Sequence, residues 1–125
     1  MTEKLINWFK ADAPEFDKVP KKPGIYIIST RQSNHEYEVK YVGQAASLYD
    51  RVNEHWSKKE KNKELKQHIA EKFLMKFNYA LIESQAERDG MELYLYNYYQ
   101  PQLNKDKPSG KTVISCTVPS VSKHH

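Results

Sequence analysis

Cysteine is almost missing from this chain and long hydrophobic runs are missing altogether, and each absence closes off a class of protein. A single cysteine, Cys116, in 125 residues excludes an internal disulfide framework and agrees with a reducing compartment. It also lacks the neighbouring histidine or basic cluster that marks a reactive thiol. No apolar stretch approaches the roughly 20 residues that a membrane helix needs. The opening segment, MTEKLINWFKADAPEF, has neither a long apolar core nor a small-residue cleavage site, so no secretory signal is visible and a cytoplasmic location without membrane contact is expected. An excess of acid is absent too, since 20 Lys and Arg against 16 Asp and Glu leave a net charge of +4. That balance suits a polyanionic partner, because cations that neutralise phosphates release counterions. Many small proteins carry such charge with no nucleic-acid role, so charge alone decides nothing.

What is present amounts to one domain. Its 38% hydrophobic and 29% charged residues are ordinary for a globular chain of this length. Leu5 to Phe9 suggest a short amphipathic helix, and Pro14, Pro20 and Pro23 then break periodicity in a lead-in that closes near residue 22. Ile25 to Thr30, rich in β-branched and aromatic residues, predict a strand with Tyr26 and Ile28 on one face and Ile25 and Ile27 on the other, both buried. After the polar loop RQSNHE, Tyr37, Val39 and Tyr41 alternate with Glu38 and Lys40, as in the second strand of a hairpin.

Ser47 can cap a helix that ends near Trp56, with Asp50 in its first turn. Leu48, Val52 and Trp56 form its apolar arc, with His55 inside the arc and Arg51 on its shoulder. Lys58 to Lys72 predict a second, strongly charged helix with Leu65 and Ile69 as a thin docking stripe. A third strand covers about Met75 to Ile82. The pair Ser84 and Glu87 reads as a capping box for a long final helix that Pro101 stops. Met91, Tyr94, Leu95, Tyr98 and Tyr99 line one side of that helix, and Glu92 sits at the edge of that side. Gly90, costly in a helix interior, implies close packing there. Beyond residue 105 lies a tail whose apolar run, Thr112 to Val118, reads as an added edge strand or a mobile segment, and His124 and His125 read as a purification-tag remnant.

Gly24-Ile25-Tyr26 and Tyr41-Val42-Gly43, followed by Arg51, His55, Glu92, Pro101 and Asn104 in that order, resemble the signature of the GIY-YIG endonuclease superfamily over residues 23–104, with Val42 for the usual isoleucine. Within that superfamily the order and spacing are similar to those of the N-terminal nuclease module of excinucleases. The resemblance implies an α+β fold: a three-stranded antiparallel sheet flanked by helices, in the order β-β-α-α-β-α, with the N-terminal helix added. It implies a catalytic set of Tyr26, Tyr41, Arg51, His55 and Glu92 drawn around one pocket, with Glu92 the metal ligand.

The implied cofactor is Mg²⁺, with Mn²⁺ as a substitute, because a lone carboxylate suits an ion that keeps most of its waters and borrows ligands from phosphate. Arg51 presents a planar cation to the nonbridging oxygens, or else makes a surface ion pair with Asp50 or Glu54. His55 can pass a proton or bind phosphate, or else be a packed neutral histidine. Tyr26 and Tyr41 can hold the attacking water, one of them as general base once its pKa near 10 is lowered. The implied nucleic-acid contacts are Gly43, Gln44, Lys58, Lys59 and Asn104. Lysine often stands in the excinuclease type where this chain has Gln44, and Asn104 fits best as a residue that fixes the loop or orients the site. Glu60 and Glu64, interleaved with the lysines, suit a solvated helix equally well.

The expected activity is hydrolysis of phosphodiester bonds in DNA by a metal-dependent endonuclease. The alternatives are a nucleic-acid-binding module with little chemistry, or a nuclease subunit targeted by a partner protein or by a second copy.

Overall fold

The computed structural model describes residues 3–12, 16–31, 36–55, 75–104, 107–108 and 112–119. Its elements are β1 (Phe9–Asp12), β2 (Gly24–Arg31), β3 (Tyr37–Ala45), α1 (Leu48–His55), β4 (Met75–Leu81) and α2 (Gln85–Tyr99). The four strands form one antiparallel sheet in the order β1-β4-β2-β3. The charged helix expected over residues 58–72, with Lys58 and Lys59, lies outside the described residues, as do Trp56 and the terminal histidines.

β2 is the central strand, and its composition explains why. Every residue from Gly24 to Thr30 is buried, which an alternating hydrophobic and aromatic run can satisfy only with cover on both faces. Tyr26 and Ile28 join Leu48 and Val52 of α1 and Phe77 of β4 in one core cluster. Ile25 and Ile27 join Met91 and Leu95 of α2 in the other. The two-faced strand read from the sequence is therefore present, with α1 covering one face and α2 the other.

Two expectations need correction. The sheet has a fourth strand, β1, which begins at Phe9, the last residue of the segment expected to be the N-terminal helix, and residues 5–8 are not helical. A helix of Leu5 to Phe9 would be too short to hold itself together, whereas the edge of β4 offers backbone partners. Phe9 pairs with Tyr79 and its ring stacks on that tyrosine at 5.6 Å. Leu5, 87% exposed, buries nothing.

The second correction concerns β3. Its alternation is broken, because the pairing slips between Ile28/Tyr41 and Ser29/Val39, leaving Lys40 as a bulge. Val39 consequently faces α2 together with Val42, while Tyr41 turns to the α1 side. Without the extra residue, Tyr41 would follow Val39 to the wrong face. Lys40 is itself held, its ammonium on Glu38 and 3.0 Å from Gln102 Oε1, its carbonyl accepting from the Leu103 amide at 3.0 Å.

The helices are capped as the sequence predicts. Ser84 Oγ accepts from the Glu87 amide at 3.2 Å, and Ser47 Oγ from the Asp50 amide at 3.4 Å. Tyr98 departs from the buried side read for α2, since it is 58% exposed. The C-terminal run is not a strand of the sheet. It lies over α2 and meets the N-terminal segment in a parallel bridge between Lys4 and Cys116. Trp8 Nε1 donates to the Thr117 carbonyl at 2.7 Å, and Thr117 Oγ1 exchanges two 3.1 Å bonds with the Ile6 backbone. Ile114 fills the space over Gly90, where an added Cβ would lie 2.5 Å from its Cγ1. Cys116 is fully buried, and burial pushes its thiol up to about 12, so it is chemically quiet.

Gly24 marks the junction of β2, β4 and α1, where a Cβ would overlap the Ala80 carbonyl oxygen and come within 2.7 Å of Leu48 Cδ1. Backbone cannot give way as a side chain can. Gly24→Ala is expected to destabilise the fold by about 1–3 kcal/mol or more, read as a lower urea midpoint; an unchanged midpoint would contradict this packing.

Candidate active site at the edge of strand β3

The hairpin register is what joins the two tripeptides. Tyr26 pairs with Gly43, Ile25 with Gln44 and Ile28 with Tyr41, so the GIY and YVG segments are antiparallel neighbours. The Tyr26 ring lies across Gly43 so closely that a Cβ there would sit 2.5 Å from both its Cζ and its hydroxyl oxygen. Only glycine leaves that path open.

At the end of the path the Tyr26 hydroxyl meets His55 Nε2 at 2.7 Å, with both residues 1% exposed. His55 reaches it because it follows Leu48 and Val52 on the buried arc of α1. The imidazole stands edge-on to both phenol rings, at 5.5 Å from Tyr26 and 5.2 Å from Tyr41. The phenols stack on each other at 6.1 Å, and Phe77 backs Tyr26 at 5.0 Å. Tyr41, half-buried, is the more open of the pair. Arg51, one turn before His55, is half-buried and paired with Glu54. That ion pair is the one its spacing allowed, and at the surface it costs little to exchange for a stronger anion.

Glu92 stands elsewhere. It projects from α2 on the opposite side of β3 from the phenols, within a second polar group centred on Gln44. The Gln44 amide nitrogen donates to Glu92 Oε1 at 2.9 Å and to Asp89 Oδ1 at 2.7 Å. The Gln44 carbonyl oxygen accepts from Gln85 at 2.9 Å and from Arg88 Nε at 3.4 Å. Arg88 is anchored in turn on the Ile82 and Glu83 carbonyls at 2.9 and 2.7 Å. Burial raises the Glu92 pKa above the usual carboxylate range, and the charge of Asp89 adds to this while the Gln44 bond opposes it.

The expected convergence on one pocket therefore takes another form: aromatic groups and imidazole on the α1 side, the carboxylate on the α2 side, with edge strand β3 between them. Adjacent residues Gly43 and Gln44 belong one to each group. Sequence reasoning missed Gln85, Arg88 and Asp89, although Gln85, Asp89 and Glu92 have the spacing of one helix face.

Asn104 is held rather than displayed. Its Oδ1 accepts from the Val42 amide at 2.9 Å and its Nδ2 donates to the Val42 carbonyl at 2.8 Å, so the side chain extends the ladder of β3 at the YVG segment.

Comparison with known proteins follows this geometry. A family model described as the GIY-YIG catalytic domain matches residues 22–106. The chain belongs to the GIY-YIG family of catalytic domains. Membership makes it an enzyme domain of the endonuclease type. UvrABC system protein C of Methanosphaera stadtmanae is 33% identical over 95 residues, which cover 76% of this chain and 15% of that protein. UvrABC system protein C of Clostridium botulinum is 31% identical over 90 residues, covering 72% and 14%. The chain thus spans only about a seventh of these relatives. Among solved structures, the magnesium-bound GIY-YIG N-terminal endonuclease domain of UvrC from Thermotoga maritima has the same fold at a TM-score of 0.56 and 19% identity, covering 72% of this chain and 91% of that one.

Two outcomes test this geometry. Asn104→Ala removes two backbone hydrogen bonds and is expected to cost about 1–3 kcal/mol in urea unfolding; a loss below about 0.5 kcal/mol, on the scale of a neutral surface change, would mean that the bonds are not made. The raised pKa of Glu92 means that its contribution to stability is fully present at low pH and is lost as pH rises through the folded value. Glu92→Gln, free of that charge, is expected to melt above the parent at pH 8 in chelator, with the gap closing on acidification below the ordinary carboxylate range. A gap independent of pH would contradict the burial of this charge.

Proposed function

We propose that this chain is a Mg²⁺-dependent endonuclease domain that hydrolyses phosphodiester bonds in DNA, with the Gly43–Gln44 end of β3 as the place beside which the scissile phosphate is held. The observation that carries the reading is the 2.7 Å bond between the Tyr26 hydroxyl and His55 Nε2, with the Tyr41 ring against both. A phenol bonded to an imidazole has somewhere to send its proton, which an isolated strand tyrosine lacks.

Glu92 fits the cation. It is a carboxylate whose charged form is disfavoured by burial and by Asp89, and a divalent ion relieves both costs. Among the described residues no group of three or more His, Cys, Asp or Glu gathers around a common point, so those residues offer the ion few ligands. Mg²⁺ suits such a site because it keeps several waters and takes others from phosphate, and Mn²⁺ is expected to substitute. When bound, the ion would supply Lewis-acid stabilisation of the phosphoryl oxygens.

The remaining roles belong to the chain. Tyr41, the more exposed phenol, orients the attacking water. Tyr26 and His55 stand behind it as a proton acceptor pair. Arg51 leaves Glu54 for the nonbridging oxygens, where charge rises as the bond breaks. Gly43, with no side chain, lets the Tyr26 ring reach His55, and Asn104 holds the strand beside it. Lys58 and Lys59, outside the described residues, remain sequence-based phosphate contacts, and the net charge of +4 agrees with such a partner. Targeting by a partner protein or a second copy remains compatible with a domain that matches so small a part of its relatives.

The full burial of Tyr26 and His55 favours one other reading, in which the aromatic cluster is purely structural and the chain binds nucleic acid without cutting it. Incubation with supercoiled, branched and single-stranded DNA in Mg²⁺ or Mn²⁺ separates the two. Cleavage is expected, falling at least about 100-fold in Glu92→Ala, more than a supporting residue around a metal costs. Salt-sensitive binding with no cutting in either metal would overturn the nuclease reading and leave the binding one.

A further inference from the structure

We propose that Gln44 and Asp89 are positioning residues for the divalent cation at Glu92, an inference that rests on the nuclease reading. One amide nitrogen is shared by two carboxylates, at 2.7 Å from Asp89 Oδ1 and 2.9 Å from Glu92 Oε1. It therefore occupies the place between two negative groups where a cation would otherwise be favoured, yet it brings no charge. Two consequences follow for the carboxylate.

The first is orientation. A carboxylate on a helix can rotate about its terminal bond, and a ligand that must order itself on binding loses affinity. With Oε1 of Glu92 tied to β3, the other oxygen is presented in a defined direction before the cation arrives. The tie is itself rigid, because the Gln44 carbonyl oxygen is held by Gln85 and Arg88. Arg88 is in turn 7% exposed and fixed to the Ile82 and Glu83 carbonyls and, at 2.7 Å, to Gln85 Oε1. Gln85 also donates to Asp89 Oδ1 at 2.8 Å. The chain of bonds runs from the loop before α2, through β3, to the carboxylate.

The second consequence is charge. A lysine at position 44 would cancel one of the two negative charges and compete with the incoming ion. A neutral amide leaves both uncancelled, and charge count around a hard cation sets its affinity. Asp89 thus supplies attraction without needing to touch the metal, in the way that groups behind a ligand tune metal sites.

Electron paramagnetic resonance titration with Mn²⁺ alone tests this without reference to cleavage. The parent is expected to bind one ion that Glu92→Gln abolishes. Gln44→Ala and Asp89→Asn are expected to weaken it about 10-fold or more, and Gln44→Lys further still, with circular dichroism melts confirming that each variant folds. Cleavage by Asp89→Asn is expected to recover at high Mn²⁺, as a defect of affinity and not of chemistry. Unchanged Mn²⁺ affinity in the folded Gln44→Ala and Asp89→Asn variants would overturn the proposal, as would the absence of any Glu92-dependent binding in the parent. Mn²⁺ binding that depends on all three residues in a protein that cuts no DNA would uphold this inference and overturn the nuclease reading.

Discussion

The whole site depends on a tyrosine ring passing over a glycine. Tyr26 crosses β3 at Gly43 and reaches His55 on α1, which ties the two strands of the hairpin to the helix that follows them. The register of β2 on β3 makes this crossing possible and the missing Cβ makes it sterically allowed. A slip by one residue would place Val42 or Gln44 beneath the ring and send Tyr26 to the other face. The tyrosine of the first tripeptide and the glycine of the second are therefore one structural statement, while Gly24 is required by Ala80 and Leu48 instead.

Strand β3 carries the other half of the arrangement because it does not alternate evenly. The bulge at Lys40 reverses the facing of everything beyond it, so that Tyr41 joins the aromatic cluster and Val42 the opposite core. Three separate anchors hold that irregular stretch: the Lys40 side chain on Glu38 and Gln102, the Leu103 amide on the Lys40 carbonyl, and the Asn104 amide on Val42. All the anchors beyond the strand come from the turn after α2. The helix that bears Glu92 is thereby fixed against the strand that bears Tyr41 through both side-chain and backbone bonds.

Much of this was legible in the residues. The two-faced burial of Ile25 to Ile28, the caps at Ser47 and Ser84, the tight packing at Gly90 and the buried arc holding His55 all follow from spacing and side-chain type, and the structure has them. Less legible were features set by pairing between distant segments. β1 was not legible because the apolar residues of Leu5 to Phe9 suggest a helix just before it, and the partner that makes Phe9–Asp12 a strand, β4, lies far along the chain, with Asp12 paired to Lys76. The bulge is invisible because Tyr37, Val39 and Tyr41 alternate perfectly on paper. The Gln44 group was obscured because an amide carries no signal of its own until its neighbours are known. The family resemblance named Tyr26, Tyr41, His55 and Glu92 as one set, but not that the two phenols and the imidazole gather on the α1 side while Glu92 lies with Gln44 on the α2 side.

That straddling changes how the chemistry should be pictured. A cleft closed on both sides would desolvate every group equally, and the burial that raises Glu92 would also exclude the substrate. At an edge strand, the phenols and imidazole can be buried from one side and the carboxylate from the other, with only one strand between them. On the proposed reading, a DNA strand would meet both groups by passing the Gly43–Gln44 end of β3. The same geometry explains why the carboxylate needs support of its own: no part of the aromatic cluster lies on its side of the sheet, so its position must be set by what surrounds it there, and Gln44, one peptide from Gly43, is the residue that transmits the register of the hairpin to it.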